Sequence, residues 1–352
     1  MKKEKKGEGK VRVVIMMGCN SGGVGGVEGK VDLAKKNSFL ESLVAIGEGF
    51  QEIFAGFGSA VGDVLGFNVV KVGDNRSKVG EHFKKVGEGL TTTKNKLNEL
   101  KVKISEAKNA DGDTIEFVKG AIKGANDVFD KLIVALTKIA GVVGNIDIAA
   151  GASDNAAAVA ADKDSVDIVI AEVKNVIDAA EKSGVDIVKG DSGNAVESGA
   201  NNAVEAIAKT AAAGQGAAAK LAGEVSKADP WAMIDKIKNA KTGSQLVNNT
   251  TNEVGALTVG TIAQAGAKSN ADLVAAVALK AMTKDGKFSA NNADAETVKA
   301  AVVSAVNKVL GILDVIIRKT VSSNLDKVRE AVKGIKYSKT DITDASQSDA
   351  TK

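Results

Sequence analysis

Three stretches of the chain set apolar side chains three and four residues apart. Between Phe39 and Phe67 they are Phe39, Leu43, Ile46, Phe50, Ile53, Phe57, Val61 and Val64. This spacing gathers them on one stripe and predicts an amphipathic helix with a buried face. Between Thr114 and Ala140 the stripe is Ile115, Val118, Ile122, Ala125, Phe129, Leu132, Leu136 and Ile139, with Asp113 placed to cap the start and Gly141 to stop the end. The third runs from about Ala295 to Ile335 through Val298, Val302, Ala305, Val309, Ile312, Ile316, Val321, Leu325, Val328, Val332 and Ile335. At the helical rise, ~40 residues reach roughly 60 Å. Long stripes near both ends of the chain predict a mainly α fold. It is an elongated bundle with the N- and C-terminal helices packed together and long Ala/Gly/Asn-rich loops at the far end.

Shorter helices fall between these. Asp229-Pro230-Trp231 places a capping carboxylate before a proline at the first helical position. Ser269-Asn-Ala-Asp272 has the spacing of a capping box ahead of Leu273, Val274, Val277 and Leu279, and Ser165 is positioned to cap a helix from Val166 to Ala180. The stretches 145–164, 184–224, 239–268 and 289–295 are rich in Ala, Gly, Asn, Asp and Ser and poor in large apolar groups. They are expected as exposed loops or thin Ala-rich helices, so that the middle of the chain is mostly surface. Gly47, Gly49, Gly56, Gly58, Gly62 and Gly66 interrupt the first stripe. Each costs up to about 1 kcal/mol against alanine in a helix, so neighbouring helices must hold this segment, with close backbone approach one reason for the glycines.

The first residues follow a different rule. Lys2, Lys3, Lys5, Lys6, Lys10 and Arg12 precede a short apolar stretch, Val11 to Gly18, that leads into Cys19, the only cysteine of 352 residues. A basic leader, an apolar core and a cysteine behind glycine form the pattern of a lipoprotein signal, with cleavage before a lipidated Cys19. Residues 1–18 are the expected signal peptide and 19–37 a flexible lipidated tether. Residues 38–337 form a single helical surface domain with variable central loops at about 145–270, and 338–352 a polar tail. The leader carries six basic and two acidic side chains, so its removal takes the formal charge from +3 to −1. That balance excludes an electrostatic basis for nucleic-acid binding. With Cys19 lipidated, no cysteine is left for a disulfide, and His82, the only histidine, cannot build a zinc site alone.

No catalytic pattern emerges. Val27-Glu-Gly-Lys30 lacks the glycine spacing of a phosphate loop, and Asp111-Gly-Asp113 puts Ile115 where a calcium loop needs a ligand. His82 has no serine motif, thiol or second histidine for a relay, and is expected at or near the surface. Glu41, Glu48 and Glu52 read as a solvated helix face, and Trp231 as a packing residue at a helix start. No cofactor and no enzymatic activity are expected.

Four blocks carry a family resemblance: Cys19-Asn-Ser-Gly-Gly; Phe39-Leu-Glu-Ser-Leu through Gly58; Asp272 through Lys284-Asp-Gly-Lys-Phe288; and Lys308-Val-Leu-Gly-Ile through Val328. Together they resemble the variable large proteins of relapsing-fever Borrelia and, with them, the Lyme-disease variable surface antigen. Lys280 stands where related sequences often carry arginine, and Ala281 where glycine is common. The resemblance implies an outer-surface lipoprotein whose framework near the membrane is retained while distal loops are exchanged, which evades host antibodies. The partners so implied are the outer membrane through the lipid on Cys19, host antibodies and a second copy of the chain. The alternative is an adhesin for a host plasma or matrix component, using exposed lysines such as Lys284 and Lys287. The run Lys284–Phe288 has two readings: an exposed epitope, or a helix stop at Asp285-Gly286 with Phe288 tucked back onto the bundle.

Overall fold

The computed structural model describes residues 27–62, 68–208, 212–246, 252–260 and 266–338, and of 27–29 and 59–62 the backbone only. Cys19, the leader and most of the polar tail lie outside these residues. The described helices are α1 (Val27–Gly62), α2 (Ser77–Ser105), α3 (Gly112–Val142), α4 (Lys163–Lys182), α5 (Ala217–Lys227), α6 (Pro230–Lys238), α7 (Val254–Thr258), α8 (Asn270–Met282) and α9 (Ala295–Lys333). Short 3-10 turns at Ala203–Ile207, Gly243–Gln245 and Asn292–Asp294 join them, and pairing among the described residues is limited to isolated bridges.

The three periodic stretches become α1, α3 and α9. Phe39, Ile46, Phe50, Ile53 and Phe57 are buried, whereas Leu43 is half-buried, and the end of the expected first helix beyond Gly62 lies outside the described residues. Helix α2 is an element that none of those stretches covers. Its buried stripe, Val79, Phe83, Val86, Leu90, Thr93, Leu97, Leu100 and Ile104, has helical spacing but is diluted by Gly80, Gly87, Gly89 and three consecutive threonines. Helices α1, α2 and α3 pack in chain order, α4 covers the other side of α3, and α9 runs against α1, α3, α4, α5, α6 and α8. A stretch of α9 is long and apolar enough to cross a membrane, yet 72% of that window is buried inside the protein, as expected of a core helix.

Helix α8 is buried on every side: all thirteen residues from Asn270 to Met282 are inside. A helix apolar all round must lie in a core, and α5, α6, α7 and α9 enclose this one. The enclosing segments overturn the expectation that the middle of the chain is mostly surface. Ala203, Ala206, Ala208, Ala213, Ala217 and Ala218 are buried, as is the whole of α7. Each small side chain removes little area from water, at about 25 cal/mol per Å². Alanine, however, lets backbone approach the core closely enough for its amides to find partners there.

Several local expectations shift as well. Asp111, not Asp113, caps α3 by accepting from the Thr114 amide at 3.0 Å, and α3 continues past Gly141 to Val142. Asp162, not Ser165, caps α4, because the carboxylate accepts both the Ser165 amide at 2.9 Å and the Ser165 hydroxyl. The Asp229 and Ser269 caps form as predicted. The expected tether also changes, since its residues from Val27 onward are already helical.

Candidate functional site

Two ends of the bundle frame its function. At one end the start of α1, the α2–α3 turn and the chain beyond α9 meet. Asn109 donates to the Lys35 carbonyl at 3.2 Å, and the Lys108 amide donates to Ser42 Oγ at 3.2 Å. The Asp111 amide donates to the Lys336 carbonyl at 2.8 Å, and the Ser338 amide to the Asn109 carbonyl at 2.8 Å. Tyr337 bridges to α1 twice. Its hydroxyl donates to Asp32 at 3.1 Å, and its ring meets Phe39 edge-on, with centroids 5.6 Å apart. The Lys36 ammonium and then the Tyr337 hydroxyl hold the Asp32 carboxyl below its ordinary range, while burial and Asp32 raise the tyrosine. The first and last described helices therefore leave the bundle together, as the sequence predicts.

The opposite end is built around two buried cations. Arg76, at the start of α2, donates to the carbonyls of Thr283 and Gly286, and its Nε is buried without a partner. Burial lowers its pKa to about 10, with Asp147 and Asp285 opposing, so it stays charged at neutral pH. Lys280 of α8 is fully buried and donates to the Val159 carbonyl at 2.6 Å. Between them runs 283–289, the tail of the sequence block around Lys284–Phe288. Asp285 adopts φ +65° and Phe288 is buried, which decides for the helix-stop reading, while Lys284 and Lys287 remain exposed. Gly151 is required here: at φ +88° an added Cβ would lie 2.5 Å from the Phe288 carbonyl oxygen.

His82 is the clearest correction. It is buried, and its Nε2 lies 2.9 Å from Asp314 Oδ1 of α9, with Phe83 edge-on at 5.6 Å. The pair ties α2 to α9 in the interior and does not face an open cleft. Sequence cues for it existed: Asp314 stands inside the apolar run Leu310–Ile317, as Lys280 stands at the end of an otherwise apolar helix. A charge on an apolar face needs a buried partner. Trp231 is half-buried, with the Lys319 ammonium 5.7 Å from its ring centre. A groove of about 1340 Å³ follows the α3–α9 seam where α4 ends, walled by Phe117, Gly120, Gly124 and Arg318. Among the described residues no cluster of three His, Cys, Asp or Glu side chains could hold a metal.

This arrangement is shared with known proteins. The chain is 61% identical to Variable large protein 14 of Borrelia hermsii, covering 91% of each sequence. It is 53% identical to Variable large protein 12 of the same species, covering 88% of this chain and 87% of the other. Its fold matches the crystal structure of the Lyme disease variable surface antigen VlsE of Borrelia burgdorferi with a TM-score of 0.67 and 29% identity, across 84% of this chain and 99% of that one. The profile of a family described as Borrelia lipoprotein matches residues 50–332. With most of its folded body inside that match and near-full-length relatives among the variable large proteins, the chain belongs to the Borrelia lipoprotein family.

Proposed function

We propose that this chain is an antigenically variable outer-surface lipoprotein, held to the outer membrane by lipid on Cys19 after removal of residues 1–18. It acts by display, with no catalytic step. The bundle presents exposed, exchangeable side chains to host antibodies, and siblings sharing the frame present others. The observation carrying this reading is the near-full-length relationship to variable large proteins, together with a fold shared with a variable surface antigen at only 29% identity. A frame that survives such divergence is one whose outward residues are free to change.

The bundle supports an orientation. Helix α1 begins eight residues beyond Cys19, at the end where the chain also leaves α9. The end built around Arg76 and Lys280 would then point outward. Several acyl chains, at ~0.8 kcal/mol per buried methylene, make an anchor that a weakly charged surface cannot match. The test is serological. Antibodies raised against this chain should kill bacteria displaying it and spare those displaying a sibling with the same frame. Equal killing of both would contradict the proposal.

A further inference from the structure

We infer that the segments enclosing α8 are held in place chiefly through their main-chain carbonyls and amides, by polar side chains of the frame helices, so that their exposed side chains can change without loosening the grip. This rests on the display reading above and adds the positioning residues that make display compatible with exchange. A carbonyl is present whatever residue carries it. A clasp on carbonyls is therefore indifferent to sequence, whereas one on side chains would fix the sequence it holds.

The clasps recur along the two frame helices. Lys308 of α9 donates to the carbonyls of Val225 at 2.7 Å and Ala228 at 2.7 Å, gathering the end of α5 and the link to α6. Lys327 and Ser323, lower on α9, both donate to the Ser183 carbonyl, at 2.9 and 2.8 Å, where α4 gives way to the exposed stretch 184–202. Lys280 takes the Val159 carbonyl. Ser289 donates to the Ala156 carbonyl at 2.7 Å and accepts the Ala213 amide at 2.8 Å, fastening two loops at once.

Backbone pairing completes the pattern. The Asn270 and Ala271 amides opening α8 donate to the carbonyls of Asn194 at 2.7 Å and Ser192 at 3.0 Å. Val196 pairs with Ala267, and Val159 with Lys287, in antiparallel bridges. The Phe288 and Ser289 amides reach the carbonyls of Ala150 and Ala206. What these segments contribute inward is mostly alanine, while Asp186, Val188, Lys189 and Glu197 point to solvent.

The test compares two kinds of variant by melting temperature and amide hydrogen exchange of the folded protein. A surface variant carries Asp186→Lys, Val188→Thr, Lys189→Glu and Glu197→Lys together. It should melt within about 1 °C of the parent, with unchanged protection across 184–202. Lys308→Met, at a half-buried site that can lose its bonds without emptying the core, should raise exchange tenfold or more around 225–231 while α2 and α3 keep their protection. Lys308→Arg should restore part of it. Lys280→Met should loosen 156–161 likewise. Unchanged exchange in Lys308→Met, or a surface variant that melts as early as Lys308→Met, would overturn the inference. Neither readout involves antibodies, so failure here is distinguishable from failure of the serological test.

Discussion

Arg76 shows how much a single buried charge can decide. Its guanidinium supplies the donors for the Thr283 and Gly286 carbonyls, and a methionine of similar length would keep the packing while removing both. A buried acceptor stripped of its donor costs about 1–3 kcal/mol. Arg76→Met should therefore lower stability by several kcal/mol in urea melts, whereas Lys78→Ala on the exposed face of the same helix should leave the midpoint unchanged. Asp162 gives a pH-dependent counterpart. The Ser165 hydroxyl, then its amide, hold this carboxyl below its ordinary 3.8, so the unfolded chain binds its proton more readily. The cap's contribution is complete above the ordinary value and is lost as pH falls through the lower, folded one. Asp162→Ala should cost about 1 kcal/mol at pH 7, and the difference from the parent should shrink toward pH 2. At this scale the sequence was only partly legible. Asp229 and Ser269 could be read because a cap depends on neighbours two or three residues away. The partners of His82, Arg76 and Lys280 lie more than a hundred residues off, beyond any local pattern.

Among the elements, α1, α3 and α9 were readable because large apolar residues mark their stripes without a gap. Helix α2 follows the same spacing, but glycine and threonine weaken the contrast between its faces. The small segments around α8 escaped for a further reason: alanine is equally at home buried or exposed, so composition could not tell their inner faces from surface. The glycines of α1 divide into two kinds. A Cβ at Gly49 would meet Leu100 at 3.3 Å, a real close approach, while Gly47 and Gly58 have nothing within 4 Å. Gly47→Ala and Gly58→Ala should each stabilise the protein by about 0.5–1 kcal/mol, and Gly49→Ala by less, as measured by thermal melts. Helix α8 should respond in the opposite sense, because it has no exposed face to absorb a change. Leu279→Ala is expected to cost about 2–5 kcal/mol.

Across the whole molecule, one end collects the start of α1 and the chain leaving α9, and the other is fastened around buried cations and backbone clasps. This separation lets anchoring and display occupy different parts of one bundle. The paired terminal helices were legible from two long stripes near the chain ends; the clasped loops were not, since main-chain contacts leave no mark in side-chain order. The central claim is that acylated Cys19 holds an outward-facing body, and it is tested most directly by protease treatment of intact bacteria grown with labelled palmitate. The account predicts that the label resides on Cys19 and stays with the cells in a short N-terminal fragment, while the helical body is cleaved from outside. A chain that carries no label and survives protease until the cells are broken would contradict it.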